Sequence, residues 1–93
     1  MFRDKSNVSK ITSTGASSIL GTTGTGPNSI TRDPAGNIYT ANNDGTISKI
    51  TPIGDSSIYA TTGITQLSCI TIDSAGNIYT AGIDNNNVIK IIP

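Results

Sequence analysis

The sequence predicts an all-β chain, on three observations: its composition, a tandem repeat, and the spacing of turn residues within that repeat. Half of the hydrophobic residues are Ile, and Thr, Ser, Asn and Gly supply much of the rest of the chain. Such a set favours strands and turns over helices. The repeat is plain. Residues 30–41, from Ile30 to Ala41, recur as residues 70–81 with ten identities in twelve positions at an offset of 40. A second block, Ser48-Lys49-Ile50-Thr51, repeats Ser9-Lys10-Ile11-Thr12 at an offset of 39. The same offset carries Gly15 onto Gly54, Ser17-Ser18-Ile19 onto Ser56-Ser57-Ile58, and Thr22-Thr23-Gly24 onto Thr61-Thr62-Gly63. A third copy of this block begins at Val88-Ile89-Lys90-Ile91.

Each period of about 40 residues holds four short strands, a to d. Strand a runs over residues 29–33 and closes with Asp33-Pro34-Ala35-Gly36-Asn37, a type I turn with Gly36 at the left-handed bulge position. Strand b covers residues 37–41 and ends at Asn42-Asn43-Asp44-Gly45. Strand c covers residues 46–50 and ends at Thr51-Pro52-Ile53-Gly54, where Pro presets the turn and Gly closes it. Strand d covers residues 57–61 and leads into Thr61-Thr62-Gly63. No window has helical periodicity with start and stop signals. Four short antiparallel strands per repeat are the signature of a β-propeller blade. The whole chain then reads as one repeat unit of about two blades: strands c–d over residues 8–22, a full blade over 29–61, and strands a–b–c over 68–92.

The run from Ser29 to Ala41, followed by Ile47-Ser48-Lys49-Ile50, resembles the NHL-type propeller repeat, with its Asp-x-x-Gly-Asn-aliphatic-Tyr core. Thr40 and Thr80 replace the usual Val, Asn42 and Gly82 replace an Asp, and an Arg at the start of strand c is missing. The resemblance implies propellers that are commonly six-bladed and serve as rigid platforms for proteins, peptides or carbohydrates. It also implies that a minority of related propellers are metal-dependent lactonases or lyases.

Charge and chemistry narrow the function. Six Lys and Arg balance six acidic residues, all of them Asp, and only 13% of residues are charged. That balance argues against an electrostatic nucleic-acid partner or a polybasic membrane surface. The single Cys cannot form an intrachain disulfide or a Cys-based zinc site. With no His and no Glu, neither an imidazole base nor a Ser-His-Asp or Cys-His pair can be built, so a non-enzymatic module without cofactor or metal is expected. Asp33 and Asp73, one per repeat, read as local turn acceptors rather than metal ligands, and Cys69 as a small buried hydrophobe. Tyr39, Tyr59 and Tyr79 read as packing residues. No signal segment or apolar run of transmembrane length occurs in the sequence; its Ser, Thr and Asn richness is compatible with an extracellular or cell-surface origin.

Binding is expected on loops. The b–c and d–a connections share one rim, and the two b–c loops differ: Asn42, Asn43 and Asp44 precede Gly45 in one, whereas Asp84, Asn85, Asn86 and Asn87 fill the other. Asn and Asp side chains suit hydroxyl-rich ligands such as sugars, and they are also favoured turn residues. Arg32, whose counterpart is Ile72, is a candidate anion contact toward the ring interior, or else a rim Arg beside an Asp. Two blades leave apolar faces bare, so the expected partner is a second copy of the chain, a trimer favoured, or further blades of a longer chain. In such a ring the junction blade mixes strands of two chains and one c strand, residues 8–12 or 88–92, is spare. The alternative function is part of a larger propeller hydrolase or lyase whose catalytic blades lie elsewhere.

Overall fold

Turn residues at fixed spacing cut the chain into strands too short to do anything but pair with their neighbours in sequence. The computed structural model describes residues 7–23, 26–64, 66–82 and 88–93, and the side chains of Asn7 and Thr22 lie outside that description. Among the described residues nine strands follow in order: β1 (Asn7–Ile11), β2 (Ser17–Thr22), β3 (Pro27–Arg32), β4 (Ile38–Asn42), β5 (Thr46–Ile50), β6 (Ser56–Thr61), β7 (Leu67–Ile72), β8 (Ile78–Gly82) and β9 (Val88–Ile91). They form three antiparallel meanders, β1–β2, β3–β4–β5–β6 and β7–β8–β9. The chain is all-β, with one complete four-stranded blade between two partial ones.

The predicted type I turn is present in both repeats. The Gly36 N–H donates to the Asp33 carbonyl at 3.0 Å and the Asp33 N–H to the Asn37 carbonyl at 3.0 Å; Gly76, Asp73 and Asn77 repeat both bonds. Gly36 and Gly76 have φ of +91° and +90°, a conformation a Cβ would oppose. Register shifts also recur, at Pro27/Ser29 and Leu67/Cys69 in strand a and at Val8/Ser9 and Ile47/Ser48 in strand c.

The two larger sheets pack face to face, with inner strands β3 and β7 adjacent. The Asn28 side-chain amide donates to the Leu67 carbonyl at 2.8 Å across this seam. Between the sheets lies the core: Tyr39, Ala41 and Ile47 from one, Leu67, Ile70 and Ile78 from the other, and Ile64 from the connection. Ile50 is buried on the opposite face, where the β2 backbone comes so close that a Cβ on Gly21 would sit 2.7 Å from Ile50 Cγ2. At both ends of the stack the equivalent positions are bare. Ile70 is 7% exposed but its repeat partner Ile30 is 51%; Ile47 is 0% exposed but its repeat partner Val88 is 73%.

Candidate functional site

The b–c loop of the complete blade is built from both sides. Its Asn43 N–H donates to the Gly26 carbonyl at 2.9 Å, and its Asn43 carbonyl accepts the Gln66 N–H at 2.8 Å. Gly26 and Gln66 are 40 residues apart, the same position in successive repeats, and both adopt positive φ, 63° and 57°. The loop is thus bonded to the d–a connection on either side. Thr62 closes the strap: its N–H donates to the Gly45 carbonyl at 3.0 Å and its hydroxyl lies 2.8 Å from the same oxygen. Gly45, at φ +88°, is buried so tightly that a Cβ would collide with the Ile64 carbonyl oxygen. This is the shared rim expected from the topology. The clamp itself, made by Gly26, Thr62 and Gln66, was foreshadowed in the sequence only by the recurring Thr-Thr-Gly.

The sequence-predicted rim residues divide. Asn42 does not face the rim: its side chain is 0% exposed and spent inside the sheet. Its amide Nδ2 donates to Thr46 Oγ1 and to Ser48 Oγ, each at 2.9 Å, while its Oδ1 accepts the Thr40 hydroxyl at 2.9 Å. Strand b lies between two covered faces, so its last residue serves as an internal strut and not as a ligand contact. Asn43 and Asp44 are exposed on the rim. The Asp44 carboxylate accepts the Thr46 N–H at 3.1 Å and the Thr46 hydroxyl at 2.6 Å, which orders the turn. Asp84, Asn85, Asn86 and Asn87 lie outside the described residues.

The opposite rim carries the a–b and c–d turns. Asp33 accepts the Asn37 N–H at 2.9 Å, the Asn37 amide at 3.0 Å and the Tyr39 hydroxyl at 3.1 Å, and Asp73 repeats the set with Asn77 and Tyr79. Burial pushes the Asp33 carboxyl up, but the hydrogen bonds from Asn37, Tyr39 and Ala35 outweigh it and hold the group below its ordinary value. Asp73 is likewise lowered, chiefly by the Asn77 amide. Tyr39 is pushed up to about 12 by burial and by donating to Asp33. Both carboxylates thus act as acceptors within their own turns. Arg32 is exposed at the end of β3, where it lines an open cleft of about 340 Å³ with Asp33, Pro34, Ile72, Asp73 and Ser74. Among the described residues no three His, Cys, Asp or Glu side chains group closely enough to hold a metal ion.

Cys69 corrects an expectation. It is exposed, because the face of β7–β8–β9 on which it lies with Tyr79, Ala81 and Val88 is covered by no further blade among the described residues. Tyr39 is buried and meets Tyr59 edge to face, with ring centroids 5.3 Å apart, and Lys49 Nζ lies 5.7 Å from the Tyr59 ring centre.

Residues 15–50 match the family model described as strictosidine synthase-like, N-terminal, a propeller-type family. No curated protein matches the chain. The matched stretch runs from the turn before β2 to the end of β5. With the four-stranded meander, the match fits a β-propeller module of about two blades.

Proposed function

We propose that the chain is a non-catalytic β-propeller repeat module of the NHL type, a rigid platform for a protein or glycan that completes its ring with copies of itself. The observation that carries this reading is a pair of end faces, one open on β7–β8–β9 and one on β3–β4 that β1 and β2 cover only in part. The interface inside the chain joins Tyr39, Ala41 and Ile47 to Leu67, Ile70 and Ile78. One repeat on, Tyr79, Ala81 and Val88 form an open face; one repeat back, Pro27, Ile30 and Ile38 form its complement. Half-exposed Ile30 and largely exposed Val88 stand where Ile70 and Ile47 are buried. Burying each such side chain is worth about 1.5–3 kcal/mol, so a contact that reuses the internal geometry is favourable. Three copies supply the blades of a six-bladed ring, in which every rim is present three times.

The strapped b–c loop supports the platform role, since a loop bonded on both sides presents the exposed Asn43 and Asp44 without an ordering cost. The absence of His and Glu from the sequence supports a role without acid–base catalysis. Light scattering on a size-exclusion column tests the ring: a discrete mass near three times 9.6 kDa is expected, and a single-chain mass at micromolar concentration rejects it. The strictosidine synthase-like match favours a second reading, part of a propeller hydrolase or lyase whose catalytic blades lie outside this sequence. Flanking coding sequence with blades bearing His and Glu toward the channel would select that reading.

A further inference from the structure

A ring built from copies of this chain, the reading on which this inference rests, meets a conflict at each junction blade. One copy brings strands a, b and c as β7, β8 and β9; the next brings strands c and d as β1 and β2. Strand c is supplied twice and has one place. We infer that β9 keeps that place, that β2 of the second copy adds to the open edge of β9, and that β1 of the second copy is released.

The two faces of strand c decide it. On the face toward the following blade, the candidates are equal: Val8 in β1 and Val88 in β9 hold the same repeat position with the same side chain. Val8 is 9% exposed, seated beside Pro27 and Ile30, so Val88 of the incoming copy fills that seat one for one. On the other face they differ. β9 presents Ile89 and Ile91, both packed against the existing core, whereas β1 would present Ser9 and Ile11. Exchanging β9 for β1 replaces a packed Ile by a hydroxyl.

That hydroxyl would also lack its partner. In the complete blade Ser48 stands opposite Thr40, and Asn42 hydrogen-bonds both. In the last blade Ile89 stands opposite Thr80, Gly82 replaces Asn42, and the Thr80 hydroxyl donates instead to the Cys69 carbonyl at 2.7 Å. β8 is therefore matched to an apolar residue at this position, and Ser9 beside Thr80 would be buried without the amide that donates to its counterpart Ser48. The edge is matched as well. The β5–β6 register pairs Ser48 with Ile58, Lys49 with Ser57 and Ile50 with Ser56. Carried to the junction, Ile89 meets Ile19 of the second copy, which is 61% exposed in the single chain, and Lys90 and Ile91 meet Ser18 and Ser17.

The test uses the full chain and two single variants, with mass by light scattering over a dilution series and fold by far-ultraviolet circular dichroism. Val88→Asp, at a position 73% exposed in the single chain and so compatible with folding, is expected to shift association at least about tenfold or abolish it. Val8→Asp is expected to keep the three-chain mass and to leave the association constant within about twofold of wild type, because assembly already vacates that strand. Deleting residues 1–12 is expected to preserve the ring in the same way. Loss of the ring in Val8→Asp or in the deletion, or its persistence in Val88→Asp, overturns the strand assignment while leaving the ring standing. A wild-type chain that stays single at every concentration overturns the ring itself, and the strand assignment with it.

Discussion

Asn42 is where a single substitution should cost most for its size. Its buried side chain makes three hydrogen bonds at 2.9 Å, to the hydroxyls of Thr40 and Ser48 inside the sheet and of part-buried Thr46. Asn42→Ala removes all three, and at about 1 kcal/mol each the loss is about 3 kcal/mol. Thr40 and Ser48 are each 1% exposed, so water cannot substitute without opening the sheet. Against a typical stability of about 5–15 kcal/mol the loss is large, and at about 2 kcal/mol per molar it lowers the urea midpoint by about 1.5 M. The measurement is urea unfolding followed by circular dichroism at one fixed chain concentration, because the proposed association would shift the midpoint by mass action. A cycle with Ser48→Ala isolates the pair: the double variant should cost less than the sum of the singles by about 1 kcal/mol. If Asn42→Ala lies within about 0.5 kcal/mol of wild type, the strut carries no load and the argument for its burial fails.

Three further outcomes follow from the same geometry. Asp33 and Asp73 are held below their unfolded value, so the stability they contribute is present above about pH 4 and is lost as pH falls through the folded values. An acid titration of the urea midpoint should show that limb, and the Asp33→Asn, Asp73→Asn double variant should flatten it; an unchanged limb refutes the assignment. Gly45→Ala places a Cβ against the Ile64 carbonyl at φ +88° and should cost more than about 2 kcal/mol, with faster amide exchange at Thr62, whose N–H is bonded to Gly45. Cys69, exposed on the open face, should react freely with a thiol reagent at nanomolar chain concentration and several times more slowly once chains associate; a concentration-independent rate contradicts burial of that face.

The strands were legible because the repeat prints each turn twice: Asp-x-x-Gly-Asn fixes the a–b hairpin, and Thr-x-x-Gly the c–d hairpin. The orientation of individual side chains was not. Strand alternation identifies a buried face when one face is wet, but Tyr39, Thr40, Ala41 and Asn42 are buried in succession because blades cover both sides of β4. Nothing local distinguishes Asn42, which points inward, from Asn43, which remains on the rim. The reverse error concerns Cys69: two-sided burial, correct for a blade inside the stack, does not hold for the last blade. The bonds from Asn43 to Gly26 and Gln66 were equally illegible, since they join segments 17 and 23 residues away and one depends on a non-glycine residue at positive φ.

Those two bonds bear on whether the proposed self-association would close. A contact between different faces of identical chains produces a ring only if its rotation divides the circle, and otherwise an open filament. Here the rotation is the wedge angle between neighbouring blades, and Asn43 constrains it from both sides: its N–H is held by the connection entering its own blade and its carbonyl by the connection entering the next. The other rim has a looser spacing, an open cleft between the Asp33-Pro34 and Asp73-Ser74 turns. In the proposed ring, a stack bonded at one rim and open at the other would splay in a constant sense, each added copy by the same amount. Weakening the bonded rim, as Gly45→Ala does through Ile64 and Thr62, should therefore alter the distribution of assembly sizes as well as the stability of the single chain. A substitution on the partly exposed end face, such as Ile30→Ala, should instead change the affinity of the proposed assembly and leave its size unaltered.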